Sequence, residues 1–70
     1  MTIAESLKRF RKDYNLTQKQ VANSIHVLTP SYQRYEYGTV PPTTVVIKIA
    51  DAFNVSIDYL VGRSDNPQRF

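Results

Sequence analysis

The chain has 70 residues, 41% of them hydrophobic and 21% charged, with a formal net charge of +3 and a pI near 9.5. That length holds one domain, its apolar content is too high for a disordered chain, and its basic balance favours polyanionic partners over acidic proteins or neutral ligands. The sequence has no cysteine, which excludes disulfides and thiolate metal sites, and the lone His26 cannot assemble a zinc site by itself.

A small core without covalent staples favours local structure, and hence helices. No stretch approaches the roughly 20 apolar residues of a membrane span. The opening MTIAESLKRF lacks the apolar run of a secretory signal. The chain is therefore expected to be cytoplasmic. No internal repeat or low-complexity segment is present.

Thr2 with Glu5 three residues later is the pattern of a capping box. Ile3, Leu7, Phe10 and Tyr14 then recur at helical spacing, which predicts a first helix over about residues 3 to 13 with one apolar stripe. Asn15 suits its end, because asparagine tolerates the left-handed conformation. Thr17 with Gln20 repeats the box, and Val21, Ala22 and Ile25 supply the inner face of a second helix over about residues 18 to 25. Ala22 is small enough to let another helix approach closely. His26 is the expected turn residue, being one of the non-glycine types enriched at positive φ.

A third helix is predicted over about residues 29 to 36. Pro30 suits a first turn, and between Leu28 and Thr29 only Thr29 has capping chemistry. Gly38 ends this helix, and Val40, Pro41 and Pro42 make a stiff connection that cannot be helical. The segment TTVVIKIADAF at about residues 43 to 53 is rich in β-branched residues, which favour a strand. A lone strand among helices would lack a partner, and Val46, Ile49, Ala50 and Phe53 fit a helical stripe. A helix is therefore expected, ended by Asn54. Ser56 should cap a last short helix over about residues 57 to 61. Residues 63–70 read as a polar tail or the start of a linker following a domain of residues 1–62.

Thr17 to Gly38 thus encloses two short helices and a tight turn, and helices so closely joined must cross steeply. Together with this geometry, the segments LKRFRKDYNLTQKQVA, RYEYG and IADAFNVSIDYLVG make the chain resemble the phage repressor and Cro type of helix-turn-helix domain from Leu7 to Gly62. The resemblance implies an all-α fold, a compact five-helix bundle with the helix-turn-helix at its second and third helices. It also implies sequence-specific binding of double-stranded DNA in transcription regulation, as a repressor and commonly as a homodimer. The family usually has glycine in the turn, where this chain has His26, and serine or threonine at the third helix's cap, where it has Leu28.

Gln18 opens the second helix, where free backbone N–H groups favour an anion. In the family a glutamine at this position touches a DNA phosphate. Residues 29, 30 and 33 match the family's base-contacting positions. Gln33 is the foremost candidate, because an amide can pair with adenine N6 and N7. Thr29 offers a hydroxyl or a methyl group, and Pro30 only an apolar surface. Arg34 is a candidate for a base or a phosphate, or for an ion pair with Glu36. Tyr37 and Thr39 flank Gly38 in the loop where family members donate to phosphates, and Lys19 lies beside Gln18. Lys8, Arg9, Arg11 and Lys12 read first as a solvated helix face, with Arg9 and Arg11 as phosphate candidates at its edge. Tyr32 is expected to be partly buried with its hydroxyl at the surface, and Tyr35 to lie in the core.

Nothing in the sequence points to an enzyme. It has no nucleophile with a base, no metal cluster, and only two glycines, too few for a phosphate-cradling loop. No cofactor is expected. The competing reading is a protein-interaction module of the same fold, such as an antitoxin with a toxin partner. Dimer contacts are expected around Tyr59, Leu60 and Arg63.

Overall fold

The computed structural model describes residues 1–69. It contains α1 (Ile3–Asp13), α2 (Gln18–Ser24), α3 (Thr29–Glu36), α4 (Thr43–Phe53) and α5 (Ile57–Leu60), with no strand among the described residues. None of these helices is long and apolar enough to cross a membrane.

Both predicted capping boxes form. Thr2 Oγ1 accepts from the Glu5 N–H while Glu5 Oε1 accepts from the Thr2 N–H, and Thr17 and Gln20 repeat the exchange. Each box satisfies two donors that a helix start would otherwise leave free. Ser56 Oγ caps α5 by accepting from the Tyr59 N–H.

All five helices end in the same way. A residue of positive φ follows the last turn: Asn15, His26, Gly38, Asn54 and Gly62. The next N–H then reaches back five residues, as in Leu16 to Arg11 O and Val27 to Ala22 O. Thr39, Val55 and Arg63 bond Arg34, Ala50 and Asp58 likewise. This closure turns the chain sharply within two residues. Leu16, Val27 and Val55, one residue past the positive φ, are thereby turned back onto the core.

The β-branched segment of α4 is helical because its apolar residues sit on one side. Val45, Val46, Ile49 and Ala50 are buried, whereas Lys48, Asp51 and Ala52 face solvent. Burial along a 3.6-residue stripe overrides the strand preference of single residues. Phe10 of α1 meets Phe53 edge-on at 5.2 Å, which ties the first helix to the fourth.

Three expectations are corrected. Leu28, not Thr29, occupies the N-cap of α3, with Thr29 and Pro30 in the first turn and no side chain capping the helix. Tyr32 is fully buried, hydroxyl included, because it shares the inner face of α3 with Glu36 four residues on. Tyr59 and Leu60 are also buried within the monomer, so neither is free for a dimer contact.

Residues 63–69 fold back over the domain. Ser56 N–H donates to Pro67 O at 2.9 Å, and Arg69 reaches Ala50 O and Asp51.

Candidate nucleic-acid interface

The turn between α2 and α3 spans Ile25 to Leu28 and pivots on His26 at φ 58°. Ala22 is fully buried on the inner side of α2, where a larger side chain would force the helices apart. Tyr32 and Glu36 hold α3 against α1 and α2. The opposite face of α3 is thereby turned outward. Pro30, Arg34 and Tyr37 are exposed on it, and Thr29 and Gln33 are half-exposed. These positions recur at helical spacing, so they form one surface rather than scattered side chains.

A chain of hydrogen bonds crosses under this surface. Arg11 grips Glu36 with two donors, Nε to Oε2 at 2.5 Å and Nη2 to Oε1 at 2.8 Å. Glu36 Oε1 also accepts from Gln18 Nε2 at 3.2 Å. Gln18 Oε1 in turn accepts from Gln33 Nε2 at 3.0 Å. The buried carboxylate is thus joined, through Gln18 of α2, to the half-exposed amide of Gln33 on α3. Burial would push the Glu36 carboxyl up, but the hydrogen bonds from Arg11 and its neighbours outweigh burial and hold it below the usual carboxylate range. The same contact raises Arg11. Burial, reinforced by the nearby Glu36 carboxylate, pushes the Tyr32 phenol up, so it stays neutral.

The expected site residues separate into two groups. Gln18, Gln33, Thr29, Pro30 and Arg34 come together at the α2–α3 corner, with exposed Lys19 beside Gln18. Tyr37 and Thr39 flank Gly38 at the end of α3, both exposed. Arg9 and Arg11 are tied into the fold by their terminal guanidinium nitrogens and, for Arg11, by Nε, while Arg9 Nε is buried without a partner. Arg9 lies 4.3 Å over the Tyr59 ring and donates to Tyr59 O, Ser64 O and Asp65. Besides Glu36, Arg11 bonds Leu16 O. Arg34 does not pair with Glu36, because Arg11 already holds both carboxylate oxygens.

Glu36 itself was missed as a site-forming residue. The available signal was an acidic side chain four positions from Tyr32, on the stripe that has to face inward. Leu28 was also missed as a surface feature. It is 76% exposed at the start of α3, next to Thr29 and Pro30.

The arrangement has close relatives. The chain is 47% identical over 64 residues to the cryptic phage CTXphi transcriptional repressor RstR of Vibrio cholerae serotype O1, an alignment covering 90% of this chain and 57% of that protein. It is 35% identical over 68 residues to the HTH-type transcriptional regulator YqaE of Bacillus subtilis, covering 96% and 59%. The fold superposes on the crystal structure of a transcriptional regulator from Listeria innocua with a TM-score of 0.76 and 37% identity, over 87% of this chain and 58% of that one. The chain therefore spans somewhat more than half the length of the relatives it matches. The helix-turn-helix family profile matches residues 7–60, taking in the Thr17–Gln20 capping box, the His26 turn and the inner face of α3. With that match laid over the α2–α3 corner, the chain belongs to the helix-turn-helix family.

Proposed function

We propose that this domain binds double-stranded DNA in a sequence-specific manner and represses transcription, laying the outer face of α3 in the major groove. The observation that carries this reading is the half-exposed amide of Gln33, aligned with Gln18 on a projecting polar helix face. Gln33 is the principal base contact, and Thr29, Pro30 and Arg34 complete the reading face. Gln18, Lys19, Tyr37 and Thr39 contact phosphates on either side of it. Arg9 and Arg11 are left out of this set because their donors already hold the fold together. Thr29, Gln33 and Arg34 give the centre of the α3 face donors and acceptors suited to base edges, which favours DNA over a protein partner such as a toxin, with Leu28 and Tyr37 exposed at its two ends. The names of the relatives, a phage repressor and transcriptional regulators, agree with it.

A single α3 covers about half of a typical operator, and half-sites about 34 Å apart suit two copies of the domain. Homodimeric binding is part of the proposal. Because Tyr59 and Leu60 are buried, the contact would use exposed neighbours such as Ile57 and Arg63.

Selection from a random duplex pool tests the function directly. A preferred sequence should emerge, and affinity for it should fall about a thousandfold or more between 50 and 200 mM salt if about six to ten phosphates are contacted. A pool without enrichment, or a flat salt response, would reject the reading.

A further inference from the structure

Glu36 is only 1% exposed, yet it stands at the inner end of a hydrogen-bond chain that reaches the surface. Its chemistry fixes the direction of every bond outward from it. Both carboxylate oxygens face Arg11 donors, so Glu36 is ionised and can only accept. Gln18 must therefore turn its nitrogen toward Glu36, which leaves its carbonyl toward Gln33. Only the amide nitrogen of Gln33 can meet that carbonyl. What remains for the groove is the Gln33 carbonyl and the second hydrogen on its nitrogen: one acceptor and one donor with assigned positions. Adenine offers the complementary pair at N6 and N7, whereas guanine offers two acceptors. Were either amide flipped, an oxygen would face an oxygen.

We infer that Glu36 is a positioning residue for base specificity: acting through Gln18, it locks the amide of Gln33 in the orientation that selects adenine over guanine at one base pair. This inference rests on the reading of Gln33 as a base contact. Glu36 touches no DNA. It sets which way two amides point, and Arg11 keeps it charged.

The test compares wild type with Glu36→Gln and Gln18→Met. The base pair in question is the one at which Gln33→Ala loses preference in selection from a random duplex pool. Anisotropy titrations then use duplexes that differ only there, A·T against G·C. The wild-type ratio should be about tenfold or more, within the range for a paired amide–adenine contact. A glutamine at position 36 can present either atom to Gln18, so Glu36→Gln should reduce the ratio to about twofold or less at that pair and leave the other pairs unchanged. Gln18→Met interrupts the chain while the Arg11–Glu36 pair stays intact. It should weaken binding to every sequence through lost phosphate contact and also collapse the same ratio. If Glu36→Gln does not fold, Glu36→Asp, which keeps the charge while drawing the carboxylate back from Gln18, takes its place and should lower the same ratio.

Folded variants that keep the wild-type ratio would overturn the inference. So would a preference for guanine at the Gln33-dependent pair, although base reading by α3 would then still stand. A wild-type pool with no preferred sequence would remove the base-reading role and this inference with it.

Discussion

Arg11 on α1 and Glu36 at the end of α3 are joined by two hydrogen bonds across 25 residues of chain, with Glu36 almost completely enclosed. The pair fastens α3 to α1, beneath the surface proposed to meet DNA. A paired geometry of this kind offsets the cost of removing two charges from water, but only while both partners are present.

Removing one partner should therefore cost more than removing both. Arg11→Met is expected to lower stability by about 2–4 kcal/mol, toward the lower end of the effect for stranding a buried carboxylate, since the Arg11 side chain is 24% exposed. The double variant Arg11→Met with Glu36→Met should recover most of that loss. Urea denaturation of the four proteins in a double-mutant cycle checks this. If the double variant were as unstable as Arg11→Met, lost packing and not an unpaired charge would be the cause.

The same carboxylate gives stability a pH dependence of known sign. Glu36 is held below its ordinary value of about 4.5 in the folded state. Its contribution is thus complete above that value and is lost as the pH falls through the lower, folded one. Thermal melts should show stability declining below about pH 4.5, and Glu36→Gln should flatten that decline. A variant whose acid limb matched wild type would assign the decline to other carboxylates.

Features set by one or two neighbouring residues were legible in the sequence. Thr2 with Glu5 and Thr17 with Gln20 mark helix starts, and Asn15, His26, Gly38 and Asn54 mark helix ends, because each acts within five residues of itself. The hydrogen bond between Gln18 and Gln33 at the α2–α3 corner shows only once the chain is folded, because it joins side chains 15 residues apart. The contacts of the two arginines are not legible in the sequence, because their partners are remote: Glu36 lies 25 residues from Arg11, and Tyr59 lies 50 from Arg9. A solvated basic helix face and a face bearing two internal clamps look alike until the chain is folded. On side-chain chemistry alone Thr29 is the expected cap. The backbone instead places the extended residue at Leu28, and no hydroxyl is needed there.

Arg9 should matter through its buried contacts rather than its ion pair. Its guanidinium stacks on Tyr59 and bonds two carbonyls, whereas Asp65 is fully exposed. Arg9→Ala is expected to cost about 1–3 kcal/mol, and to speed amide hydrogen exchange over residues 63–69. Asp65→Ala should stay within about 0.5 kcal/mol of wild type. Equal losses in the two variants would mean that the exposed pair, not the stacking, anchors the segment.

Gly62 has no substitute at the end of α5. Its φ is +87°, and a Cβ there would lie 2.5 Å from Ser6 Oγ and 3.0 Å from Met1 O. Ser6 cannot simply yield, because it is fully buried and its hydroxyl donates to Thr2 O. Gly62→Ala combines a left-handed backbone with overpacking, and should cost about 2–4 kcal/mol in urea denaturation. A loss under about 1 kcal/mol would show that the α1–α5 junction gives way easily.

His26 presents the opposite case. It holds φ 58° in the α2–α3 turn, yet it is exposed and has no hydrogen-bonded side chain among the described residues. A residue with a Cβ is strained in this conformation by about 1–2 kcal/mol, part of which glycine gives back through its freer unfolded state. His26→Gly should therefore raise stability by about 0.5–1 kcal/mol, or the melting temperature by about 2–8 °C. Because the turn geometry is unchanged, affinity for the selected duplex should not move. A destabilised His26→Gly would mean that the imidazole makes a contact in solution that offsets its backbone strain. A stabilised variant with weakened binding would place the histidine in the DNA interface.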